Sequence, residues 1–105
     1  MNGKTREIDI AKNLKIIEWL KAEMVDSVGK LFKTLLKSRN DDREDGLATI
    51  IIITYLLGKK VGVNFSSLDK RIIDKLNVSI NKAHETEQWQ EDLSVLSKYL
   101  ESKKR

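Results

Sequence analysis

The chain has 105 residues, 40% hydrophobic and 34% charged, with a net charge of +4. That length fits one domain with a modest core. The absence of cysteine excludes disulfides, thiolate metal sites and a Cys nucleophile, and the absence of proline leaves nothing that marks an interdomain linker. The excess positive charge sits at the ends, on Lys4 and Arg6 and on Lys103, Lys104 and Arg105. The body is near neutral, so the basicity is explained by solvated ends and does not by itself call for nucleic acid. Met1–Arg6 is polar and lacks the apolar core of a signal peptide. The longest apolar run, Ile50–Ile53, is far short of the about 18 residues a membrane helix needs. The expectation is a cytoplasmic protein with no membrane partner.

Residues 1–7 read as a disordered end, 8–102 as a single all-α domain, and 103–105 as a basic tail. Asp9 is a suitable N-cap for a first helical segment. Ile10, Leu14 and Ile17 recur at helical spacing, Ile16, Trp19 and Leu20 widen the stripe, and Met24, Val28, Leu31 and Leu35 continue it. Lys21 interrupts the rhythm, so Asp9–Lys37 is one long helix or two with a bend. Gly29 within it costs roughly 1 kcal/mol against Ala, which points to close helix packing there.

Ser38–Asp42 is a short turn, so the helices it joins are antiparallel neighbours. The central stretch, Leu47–Val63, contains Ile50–Ile53 followed by Tyr55, Leu56 and Leu57. Periodicity alone does not separate a buried strand from a buried helix in such a run. Its flanks favour a helix over about 42–61. Asp41, Asp42, Glu44 and Asp45 suit the positive end of the dipole, and Asp41 with Glu44 resembles a capping box. Lys59 and Lys60 suit its last turn, and Gly62 suits a left-handed C′ position. A helix apolar all round is expected to be fully buried in a bundle. Ser66 with Asp69 reads as the start of a third helix, striped by Phe65, Leu68, Ile72, Leu76 and Ile80. Asn81–Glu85 reads as a loop. A last helix, about Thr86 to Ser102, carries Trp89, Leu93, Leu96 and Leu100, with Glu87, Gln90, Glu91, Ser94 and Lys98 on a polar face.

Much chemistry is absent. His84 is the only histidine and has neither a second His nor a Cys with which to bind a transition metal. Ser66, Ser67 and Ser79 have no evident base, and Gly58 and Gly62 form no phosphate-binding loop. Acids remain. Glu23 and Asp26 are three apart and share a helix face, as do Asp42 and Asp45 on the next helix. Two antiparallel helices so equipped can gather carboxylates around Mg²⁺, a hard ion that bridges to phosphates. The plainer reading makes Glu23 and Asp26 surface acids and Asp41–Asp45 helix-start chemistry.

Asp26–Leu31 (DSVGKL), the later LATIIIITYLLGKKVGV and then Leu76 resemble the MazG-like family of all-α nucleoside triphosphate pyrophosphatases. The resemblance covers about Ile8 to Lys82 and is closest to a short branch opening with a segment like IAKNLKIIEWLKAE. It implies a bundle of four core helices plus a C-terminal helix. It also implies Mg²⁺ as cofactor, a nucleotide as ligand, and a homodimer or tetramer. Active members carry E-E-x-x-E on one helix and E-x-x-D on the next. Anchored on Gly29 and on Val61-Gly62-Val63, the paired acids of these motifs fall on Ser27 and Lys30 and on Gly46 and Thr49, none of them acidic. A second register, slid by about one turn, recruits Glu23, Asp26, Asp42 and Asp45 as metal ligands but loses both anchors. The first register is preferred. Lys75 and Lys82 are the nearest matches to the family's phosphate-holding lysines.

The expectation is therefore a MazG-like protein with a degenerate Mg²⁺ site, weakly active or non-catalytic, that binds a nucleotide or a partner in the old cleft. The alternatives are an active Mg²⁺-dependent nucleoside triphosphate pyrophosphatase using the displaced acids, and an interaction module whose basic tail touches nucleic acid.

Overall fold

The computed structural model describes residues 3–37, 39–81 and 87–103, and the side chains of all of these except 3–5, 37 and 87. The described chain is helical: α1 spans Gly3–Lys37, α2 Asn40–Lys60, α3 Phe65–Ile80 and α4 Glu87–Lys103. No strand occurs among the described residues. The all-α expectation holds, and of the two alternatives for Asp9–Lys37 the single helix is found, since α1 is unbroken through Lys21, which makes four helices among the described residues. Lys21 does not bend the helix. Its ammonium lies 2.8 Å from the Glu18 carboxylate one turn back and stays in solvent. Helix α1 also begins before the expected cap, so Asp9 lies inside it and residues from Gly3 on are helical. His84 and the rest of 82–86 lie outside the described residues, as do Lys104 and Arg105 of the basic tail.

The chain forms two compact units, one of residues 1–65 and one of 66–105. In the first, α1 and α2 pack along each other. They run antiparallel: the Asn13 Nδ2 near the start of α1 donates to the Lys60 carbonyl at the end of α2, at 3.2 Å. Leu20 and Leu31 of α1 and Ile53 of α2 are the buried apolar residues of this pair. The inward line of α1 runs through Leu20, Met24, Val28 and Leu31, while Ile10, Leu14 and Leu35 of the expected stripe are exposed.

Helix α2 starts at Asn40, with Arg39 as N-cap and no side-chain capping bond. The expected Asp41–Glu44 box is therefore not formed. With the helix already begun, Asp41 and Asp42 lie in its first turn, where they act on the dipole. The other end is as expected. Gly62 has φ +92°. Its N–H donates to the Lys59 carbonyl at 3.2 Å, and the Val63 N–H reaches the Gly58 carbonyl at 2.8 Å. This pair of bonds is a Schellman cap, which needs the left-handed residue that glycine supplies. The turn is covered by Phe65, whose ring meets Tyr55 edge-on at 5.7 Å. The Lys59 ammonium lies 5.9 Å from the centre of the same ring.

One expectation about α2 is corrected. The helix is not fully buried: Ile53 is, but Ile51 and Ile52 are 56% and 57% exposed. A run of apolar residues covers every side of a helix, and α1 occupies only one of them. Gly29 is corrected too. A Cβ there would meet nothing within 4 Å among the described residues, so the α1–α2 packing does not account for it.

In the second unit, α3 turns Leu68, Ile72, Leu76 and Ile80 inward as expected, with Leu76 buried and the others half-buried. Helix α4 is rotated from its expected face. Leu93 and Leu100 are half-buried, but Trp89 and Leu96 are exposed, and the buried residue is Ser97, beside half-buried Ser94 and Gln90. Periodicity gives the width of an apolar face, not the edge of it that turns inward. Among the described residues no single helix is long and apolar enough to cross a membrane.

Candidate functional site

The α1–α2 pair leaves a cleft of roughly 410 Å³ on one side of its buried seam. From α1 it is lined by Glu23, Ser27, Lys30, Leu31 and Thr34. Their spacing of three and four residues puts them on one helical face. From α2 it is lined by Asp42, Asp45, Gly46 and Thr49, again at helical spacing. The floor is closed by the approach of Leu31 to Gly46. A Cβ at position 46 would come within 3.1 Å of the Leu31 Cδ1, closer than such contacts normally lie. Glycine at 46 thus lets buried Leu31 seat against the α2 backbone and keeps the base of the cleft tight.

Both sequence registers lead to this one cleft. Ser27, Lys30, Gly46 and Thr49 all line it, and so do Glu23, Asp42 and Asp45. The registers differ by about one turn along the same two faces, so they mark neighbouring levels of the same groove. Asp26 is the exception. It is not among the lining residues, and its Oδ2 lies 3.0 Å from the Lys30 Nζ. That hydrogen bond first, and then the charge of Asp26, hold the Lys30 ammonium above the usual lysine range. A little desolvation opposes this, and Glu23 adds a smaller push upward. Lys30 is therefore a cation throughout the neutral pH range. The pair is solvent-exposed on both sides, so its contribution to stability is small.

The hydroxyls are partly committed. The Thr49 Oγ1 donates to the Asp45 carbonyl at 2.9 Å, which commits its proton to the backbone one turn back. Ser27 and Thr34 are half-buried in the opposite wall. Thr34 was not singled out from the sequence, and Leu31 only as part of the apolar stripe and of the DSVGKL segment. Thr34 lies four residues beyond Lys30 and seven beyond Ser27, and that spacing was the available signal. Lys75 is exposed on α3, in the second unit, and Lys82 lies outside the described residues.

A Mg²⁺ ion asks for near-octahedral oxygen ligands, with carboxylates close enough to share it. Among the described residues no three Asp, Glu or His side chains come together in that way. The acids of the cleft are spread over two walls, and an ammonium stands among them. The residues present do not fit the ion.

These features define an all-helical domain with a polar, acid-rimmed cleft between its first two helices. The model of the MazG-like family matches residues 10–93, and the chain belongs to that family. It is thus a nucleotide-pyrophosphatase-like all-helical domain, from a family that is typically metal-dependent. No curated protein and no solved structure matches the chain significantly.

Proposed function

We propose that the α1–α2 cleft is a binding site for a nucleotide, on a scaffold whose hydrolytic power is weak or lost. The observation that carries this reading is Lys30. It stands in the cleft, held 3.0 Å from Asp26, where the preferred register expects a metal-binding acid. Ser27, Gly46 and Thr49 occupy the other three such positions in the same cleft. Without a cluster of carboxylates there is nothing to fix a cation or to activate water on it. What remains is a groove of hydroxyls, acids and one ammonium, of a size common for small-molecule sites. The reading places the protein in the cytoplasm, where nucleotides are abundant.

The reading includes a homo-oligomer. On α1, Val25, Phe32 and Leu36 are 75%, 61% and 85% exposed. They lie on one side of the helix with Gly29 among them, at spacings of four and three. Alanine would fit at 29 in the chain alone, and glycine there weakens the helix by roughly 1 kcal/mol. A second chain packed closely against this stripe accounts for both the exposure and the glycine.

The site reading is tested with one panel of standard and modified nucleoside triphosphates, offered with Mg²⁺ or Mn²⁺. The expected result is a raised melting temperature with at least one nucleotide and no pyrophosphate above background. Metal-dependent turnover that disappears in Asp45→Ala would replace this reading with that of an active enzyme using the displaced acids.

A further inference from the structure

The polar groups of the cleft suit some parts of a nucleotide and not others. Glu23, Asp42 and Asp45 are carboxylates at neutral pH, and a carboxylate only accepts hydrogen bonds. Phosphate oxygens are acceptors too, and they carry the same sign of charge. Donors are few among the described lining residues. The Lys30 ammonium lies 3.0 Å from Asp26, which already balances its charge. The Thr49 hydroxyl gives its proton to the Asp45 carbonyl. Ser27 and Thr34 contribute half-buried hydroxyls. Residues 23–34 lie inside α1 and 45–49 inside α2, where backbone N–H groups bond along the helix. These walls therefore offer no loop of free N–H groups of the kind that cradles a phosphate. Ribose hydroxyls and the amino groups of bases are the opposite case. They bring donors to the acceptors and add no negative charge. We propose that the cleft takes the sugar and base of a nucleotide and disfavours its phosphates, so that its preferred ligand is a nucleoside or a nucleoside monophosphate and not a triphosphate. This rests on the reading of the cleft as a nucleotide site and narrows its ligand. It requires no gathered set of acids. Carboxylates spread over two walls do not share an ion, but each repels a phosphate and each receives a donor. A monophosphate brings about −1.5 to −2 charges at neutral pH, and every further phosphate adds to the repulsion.

The experiment measures, by calorimetry on the full chain, the affinity for the nucleoside, monophosphate and triphosphate of each common base. It is done in EDTA, because a divalent ion chelated by the triphosphate would offset part of its charge from the ligand's side. Three proteins are compared. Wild type is the reference. Glu23→Gln with Asp45→Asn keeps the shape of both walls and removes two of their charges. Glu7→Gln with Asp9→Asn removes as many from exposed positions of α1 that lie about 20 Å along the helix from Glu23. Circular dichroism confirms that each is helical. In wild type at low salt, the nucleoside of the preferred base is expected to bind about tenfold or more tighter than its triphosphate. The monophosphate falls between them, and added salt narrows the gap. The cleft variant should close the gap to about threefold or less, and the distant variant should leave it as in wild type. A triphosphate that wild type binds as tightly as its nucleoside would overturn the inference and leave the nucleotide site standing. A gap that the cleft variant does not change would overturn it as well. Binding of no probe by the folded protein would remove the nucleotide site itself, and the inference with it.

Discussion

At residue 46 a missing side chain does structural work that the sequence pattern does not announce. The Leu31 Cδ1 lies 3.1 Å from where a Cβ at 46 would stand, so any side chain there requires the leucine to shift. Gly46→Leu gains roughly 0.8 kcal/mol of helix propensity but forces Leu31 out of its seat, which typically costs about 1–3 kcal/mol. A net loss in urea-determined stability is expected. Leu31→Ala should cost about 2–4 kcal/mol, since the leucine is buried. In the Leu31→Ala background, Gly46→Leu should be much less harmful or even restorative, because it fills the vacated space. Strictly additive effects would contradict this contact. A glutamate at 46 would bring its Cβ to the same leucine, which would have to shift to admit it. The sequence showed that glycine stands at a position where the family's active members carry an acid. It did not show that a buried neighbour had moved into the space, because that neighbour comes from the other helix.

At the scale of the helix, end signals proved more legible than faces. Gly62 is left-handed and closes α2 with two backbone bonds, as expected from a glycine following two lysines. Gly62→Ala should lower stability by about 1–2 kcal/mol, the strain of a Cβ in that conformation. Chemical denaturation measures it, and an unchanged midpoint would mean that the cap is dispensable. Start signals were less clear. Asp9 and Asp41 are good capping types, but both lie inside helices that begin earlier, at Gly3 and Asn40. A helix does not need its best cap when the residues before it also favour helix and its acids act equally well from the first turn. The four isoleucines identified a helix through their charged flanks, but not how much of it is covered. Ile53 alone of the four is buried, and only the partner helix decides which side that is. In α4 the serine edge faces inward, a choice the apolar pattern did not contain.

At the scale of the molecule, fold class and family membership were legible in helix order and spacing, and the cleft was legible as two rival ligand registers. The structure unites them in one groove and leaves them without a gathered set of acids. The same α1 that walls the cleft shows Val25, Phe32 and Leu36 to solvent on another side. If a second chain covers that stripe, wild type should elute with the mass of a dimer or more by light scattering. Phe32→Glu with Leu36→Glu should elute as a helical monomer. A monomeric wild type, or an oligomer untouched by the double variant, would remove this face from the account.

The central claim is that the family's scaffold persists here with its metal chemistry displaced by Lys30. Pyrophosphate release is the most direct test, measured on wild type and Asp45→Ala with the full triphosphate panel and with Mg²⁺ and Mn²⁺ in turn. The account predicts no metal-dependent release from either protein, alongside nucleotide-dependent thermal stabilisation of wild type. Metal-dependent release by wild type that Asp45→Ala abolishes would contradict it, and would make the displaced acids a working metal site.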